Sequence, residues 1–291
     1  MRFTEAEDKY RKVVGDAGLW PEPRNAFAWF LIQRGQVIEP AQGNAKLQEA
    51  VQICQGTLAL NPREKSPQDW AATQHDLGTA LWDLGTRGGG EEGRKLLGEA
   101  VAACRGALEV YTKADLPQGW AATQNNLSLA LWHLGSQLEG KEGLNTQRES
   151  VDLLRAMVSY QSDDQSRYRL ASALGGLAFQ LVLDSQFAEA QTRCEEAQRL
   201  AKEIGDGIQK SGRDNLVFIQ QNLAHALFFQ GHYDEALAIY RQYWDKPLNG
   251  KTFGKVTLED FAAFDKAGLT HPDLSQMKRA LGDLRSKASS P

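Results

Sequence analysis

A fifty-residue repeat that runs without a gap constrains this chain more than any other feature. The segment Trp70-Ala71-Ala72-Thr73-Gln74-His75-Asp76-Leu77-Gly78-Thr79-Ala80-Leu81-Trp82-Asp83-Leu84-Gly85 returns as Trp120-Ala121-Ala122-Thr123-Gln124-Asn125-Asn126-Leu127-Ser128-Leu129-Ala130-Leu131-Trp132-His133-Leu134-Gly135. One period earlier, Trp20, Phe27, Ala28, Leu31 and Gly35 fall in register. One period later, Leu170, Leu177, Ala178, Leu181 and Ser185 do so. The second half of each unit keeps the same step: Glu49-Ala50-Val51 with Cys54 and Thr57, Glu99-Ala100-Val101 with Cys104 and Ala107, then Glu149-Ser150-Val151 with Leu154 and Met157. Such a period belongs to arrays in which each unit buries its apolar face on the next.

Each unit reads as a pair of helices. Trp70, Thr73, Leu77, Leu81 and Leu84 recur at spacings of three and four, which places them on one helical face. Ser66-Pro67 supplies an N-cap residue followed by proline at the first helical position, and Asp69 sits where a capping-box acid belongs. Leu96, Leu97, Ala100, Cys104, Ala107 and Leu108 form the stripe of the second helix. Gly88-Gly89-Gly90, and Gly140 with Gly143, break the chain between helices. Small residues recur where helices must touch: Ala28, Gly78, Ser128, Ala178 and Ala224 in first helices, and Ala50, Ala100, Ser150, Ala190 and Ala236 in second helices. A large side chain at either place pushes the pair apart.

These residues resemble the tetratricopeptide repeat family. Leu223-Ala224, Leu227, Gly231, Tyr233, Ala236, Tyr240 and Tyr243 give a version with the family's short turn, and Leu177-Ala178, Leu181, Phe187, Ala190, Cys194 and Ala197 give another. In the earlier units the Gly-rich connection reads about ten residues longer, similar to bacterial repeats related to the kinesin light chain type. The resemblance covers residues 20–245 as five helix pairs and implies an all-α fold, a right-handed superhelical solenoid. Residues 1–19 carry Ala6, Tyr10 and Val13 at second-helix spacing, so they form either a cap or the remainder of a unit begun earlier. Residues 246–291 read as a helical cap: a loop at Lys246-Pro247-Leu248-Asn249-Gly250, then amphipathic helices over 256–267 and 272–284.

Composition narrows the function classes. With 33 basic against 37 acidic residues and no basic stripe, nucleic acid is not an expected partner. No apolar run approaches membrane-spanning length, so no membrane partner is expected either. Three cysteines, Cys54, Cys104 and Cys194, share one slot of the second helix and read as small apolar fillers in a reducing, cytoplasmic setting. The histidines, His75, His133, His225, His232 and His271, do not pair at ligand spacing, so no metal or other cofactor is expected. Asn249-Gly250-Lys251-Thr252 ends like a phosphate-binding loop, but Asp245 stands where that loop needs glycine. Glu91, Glu92, Glu139 and Glu142 suit helix starts rather than acid–base work, and no catalytic constellation appears.

The expectation is therefore a non-catalytic scaffold that binds a protein or peptide, with self-association also open. A sensor or regulatory segment of a larger signalling or defence protein is the alternative. In the resembled family, ligands lie along a concave face lined by first helices. That analogy selects Asn25, Trp29 and Gln33 in the first unit, His75, Asp76, Thr79, Trp82 and Asp83 in the second, and Asn125, Asn126, Leu129, Trp132 and His133 in the third. In the fifth it selects Gln221, Asn222, His225 and Phe229. The lysines and arginines of the family's carboxylate clamp are missing from these places, so apolar or basic peptides are expected. Trp82 and Trp132 are either core fillers or aromatic anchors for a partner, while Trp20, Trp70 and Trp120 continue the core stripe.

Overall fold

The computed structural model describes residues 2–16, 21–204 and 209–288, with side chains for 5–15, 21–204 and 216–286. Trp20 lies outside the described residues. The chain forms two compact units, residues 1–153 and 154–291. The first holds α1 (Arg2–Asp16), α2 (Pro21–Val37), α3 (Pro40–Leu60), α4 (Pro67–Gly88), α5 (Gly90–Leu108) and α6 (Pro117–Gln137), and α7 (Gly140–Tyr160) runs across the division. The second holds α8 (Asp164–Leu183), α9 (Phe187–Glu203), α10 (Gln209–Phe229), α11 (Tyr233–Tyr243), α12 (Phe253–Lys266) and α13 (Leu274–Ala288). A two-stranded hairpin, β1 (Pro247–Leu248) and β2 (Lys251–Thr252), is the one departure from helix among the described residues.

In the first unit, consecutive helices pack as antiparallel hairpins, and α2, α4 and α6 also touch one another directly. The core runs through Phe27, Leu31, Leu47, Leu81, Val101 and Leu131, all buried. The small-residue slots are what allow this approach. A Cβ on Gly78 would stand 2.6 Å from the Cys104 sulfur, and one on Gly85 would stand 2.9 Å from Leu97 Cγ. Where the third unit has Ser128 instead of glycine, the Ser150 hydroxyl donates to its carbonyl at 2.7 Å, so the close contact is kept with its polar atoms satisfied. α1 stacks Tyr10 on Phe27 at 5.8 Å and joins Arg11 and Glu7 to Glu49 and Lys46 of α3.

Three sequence expectations are corrected here. The long Gly-rich connection is not a loop: α4 continues to Gly88 and α5 begins at Gly90. The reversal is made by Gly89 and Gly90 at φ +63° and +59°, a region costly for any side chain. The additional residues of the long unit therefore lengthen its two helices, and Trp82 lies under no loop. Ser66 occupies the N-cap of α4, but its side chain caps nothing, and the Asp69 carbonyl instead accepts from Thr73 and Asn25. Finally, the 246–250 loop is the start of a hairpin. Asn249 and Gly250, at φ +50° and +74°, form its two-residue turn, pairing Leu248 with Lys251. That turn leaves no phosphate-cradling loop before α12.

Candidate functional site

The sequence-selected residues of the first unit gather along two seams, α2 against α4 and α4 against α6. Both seams carry one rung at the same repeat place. Thr73 donates to Asn25 Oδ1 at 2.9 Å, and fifty residues on His75 Nδ1 pairs with the Thr123 hydroxyl at 2.9 Å. Further along, helix-to-helix partners stand 47 residues apart: Gln36 donates to Asp83 at 2.7 Å, and Asn126 donates to Thr79 at 2.8 Å. The spacing follows from the repeat, since neighbouring first helices are offset by one unit less one helical step.

Several predicted ligand contacts are thus occupied within the protein. Asn25, Thr79, Asp83 and Asn126 spend polar atoms holding one helix to the next, and Asn125 donates weakly to Asn126. Trp82 packs partly buried against the core, with its ring 6.0 Å from His133 and its indole N–H unpartnered. Leu129, Trp132 and His133 are half-buried, and Trp29 is the most open of the set at 46%. Trp70 and Trp120 are also half-buried, and each carries a cation of its own chain: Arg63 lies 5.6 Å and Lys113 5.7 Å from the ring centres.

Electrostatics along these seams follow from burial. The Asp76 carboxyl, 9% exposed, is pushed up to about 7 by desolvation. Burial also raises Asp83, offset by the hydrogen bond from Gln36 and by Arg87 nearby. His75 and His133 are both lowered by desolvation, which favours their neutral rings. The thiols of Cys54, Cys104 and Cys194 are buried and raised well above their ordinary value, Cys104 to about 12, which suits packing and not nucleophilic chemistry. Among the described residues no group of three or more His, Cys, Asp or Glu side chains is arranged to hold a metal ion. No described helix is long and apolar enough to cross a membrane.

In the second unit the selected residues are not on a surface. Gln221, Asn222 and His225 are at most 1% exposed. For Gln221 and His225 the reason is α12, which lies on the face of α10 that carries them. Gln221 donates to Thr257 at 3.2 Å, and His225 sits between the Tyr240 hydroxyl at 2.8 Å and the Asp260 carboxylate at 3.0 Å. Phe261 and Phe264 pack edge-on against the same imidazole. Asn222 donates to the Gly175 carbonyl of α8 at 2.9 Å, again across 47 residues. These three residues are polar core, and their assignment to a ligand face is withdrawn.

The family analogy already places Asp76 on the first-helix face with His75, Thr79, Trp82 and Asp83, but polar neighbours in the pattern hide what sets it apart. The signal was available: its repeat mate is Asn126, a residue that can both donate and accept, whereas a carboxylate only accepts. Compared with known proteins, the chain matches no family model, and no curated protein is significantly similar to it.

Proposed function

We propose that this protein is a non-catalytic peptide- or protein-binding module of tetratricopeptide-like, right-handed solenoid architecture. Its binding face is formed by α2, α4 and α6 of the first unit. The observation that carries the reading is the row of open or half-buried first-helix side chains, Trp29, Leu129, Trp132 and His133, standing on helices already fixed to one another by buried rungs. Rigid aromatic anchors on a preorganised surface lose little entropy when a partner docks. The enclosure of Gln221, Asn222 and His225 confines that face to the first unit.

The test is peptide capture by the full chain on an array of extended peptides, repeated with Leu129→Ala plus Trp132→Ala. Loss of about tenfold or more in capture, one good anchor's worth, is expected with the fold intact by circular dichroism. Undiminished capture would overturn the assignment of the face.

A further inference from the structure

The two seams of the first unit share the Asn25–Thr73 and His75–Thr123 rung and differ beyond it. Across 47 residues Asn126 reaches back to Thr79, and Gln36 reaches forward to Asp83. The repeat mates of Thr79 and Asn126, fifty residues earlier, are Trp29 and Asp76, themselves 47 apart. At that place, between the Asn25–Thr73 and Gln36–Asp83 rungs, the seam of α2 and α4 carries an indole and a carboxylate where the next seam carries a hydroxyl and an amide.

Asp76 makes no hydrogen bond or ion pair among the described residues, although it is more than nine-tenths buried. It is also absent from the buried polar atoms that are both sealed and unpartnered, so its carboxylate oxygens still meet solvent. No described cation offsets its burial. Trp29, which holds the place of Thr79 in that rung, is the most exposed tryptophan described and carries no cation, unlike Trp70 and Trp120 with Arg63 and Lys113. A largely buried carboxylate that has no protein donor and keeps only an edge on solvent, paired in the repeat with an open aromatic face, is what a cationic side chain satisfies twice, by a charge-assisted hydrogen bond and by cation–π attraction.

We propose that Trp29 and Asp76 form a receptor for one cationic side chain, the lysine or arginine of an extended peptide lying along α2 and α4. The proposal rests on the peptide-binding reading and names the chemistry its ligand must have.

The experiment follows the indole N–H resonance of Trp29 in the full chain by NMR, assigned by its loss in Trp29→Phe. The probes are N-acetyl-arginine methylamide and its uncharged isostere, N-acetyl-citrulline methylamide, at pH 8, where Asp76 is ionised. A saturable shift with the arginine probe is expected, at least about tenfold weaker with citrulline or in Asp76→Asn, since a hydrogen bond to a charged group is worth that much. Asp76→Asn is isosteric and installs the residue that Asn126 already carries at this place, so the fold is retained. A second readout uses Trp29→Thr plus Asp76→Asn, which recreates the Thr79–Asn126 rung. This variant is expected to unfold at a higher temperature than wild type and to lose the arginine-dependent rise in midpoint. No shift at Trp29, an equal shift with citrulline, or a double variant that still responds to arginine would each overturn the receptor. Peptide capture that depends on Leu129 and Trp132 would stand through any of these results, so failure of the receptor and failure of the binding face are told apart.

Discussion

Asn126 in the first unit and Asn222 in the second hold the same place in a first helix, and each donates across 47 residues to the first helix before it. Asn126 is half-buried at its seam, while Asn222 is wholly enclosed on α10, whose flanking Gln221 and His225 are covered by α12. The same residue is a surface rung in one place and a core hydrogen bond in the other. What surrounds a repeat position, more than the residue in it, decides whether it is available to a partner.

The largest expected effect attacks the cover. Phe264 is fully buried and packs on His225 at 4.9 Å, Phe229 at 5.3 Å and Phe179 at 6.0 Å. Phe264→Ala should cost about 3–5 kcal/mol in thermal or denaturant unfolding, as buried phenylalanine truncations do. It should also expose His225 to hydrogen exchange, making the second unit resemble the first.

The next effect lies at Asp76. Its carboxyl, held near 7 when folded, ionises near its ordinary value of 3.8 when unfolded, so the folded state binds the extra proton between those values. Stability from this group is greatest below pH 4 and falls as pH rises to about 7, above which the cost is complete. Asp76→Asn should therefore stabilise the chain at pH 8 by up to about 4 kcal/mol and make little difference at pH 4. Urea titrations at the two values check it, and an advantage independent of pH would refute the assignment. Cys54 and Tyr111 are both raised partly by this carboxylate, and Tyr111 by Asp69 as well.

The paired asparagines give a smaller difference. Asn126→Ala should cost about 1 kcal/mol, a typical net hydrogen bond, whereas Asn222→Ala should cost about 2–3 kcal/mol because it also opens space in a fully enclosed site. Equal costs in chemical denaturation would break the comparison. Smallest of all is Arg105→Ala, which removes an exposed ion pair with Glu149 at 2.7 Å and should change stability by less than about 1 kcal/mol. That result would establish that enclosure, not pairing as such, ranks the others.

Much of the fold was legible in the residues. The small slots Ala28, Gly78, Ser128, Ala178 and Ala224 read as helix contacts, and each is buried. The three cysteines read as fillers and are enclosed. Less of the site was legible. Periodicity fixes which face of a helix a residue lies on but not what a later segment places over that face. His225 and His75 both lie on first helices, yet one is sealed between Tyr240 and Asp260 and the other reaches Thr123 at a seam. The Gly-rich stretch misled for a related reason. Three successive glycines suggest a loop, but only two were needed at positive φ, and helical hydrogen bonding continued to either side of them.

The sequence by itself determined the helices, their fifty-residue spacing and the small residues that let them touch, because these depend on local periodicity and on side-chain volume. Only the tertiary structure decided which polar residues of that repeat are spent. The rungs Asn25–Thr73, Gln36–Asp83 and Thr79–Asn126 depend on which donor meets which acceptor across neighbouring helices. The burial of Gln221 and His225 depends on a helix more than thirty residues further along the chain. Both are long-range facts, set by the packing of whole helices, which a pattern read along one chain does not contain.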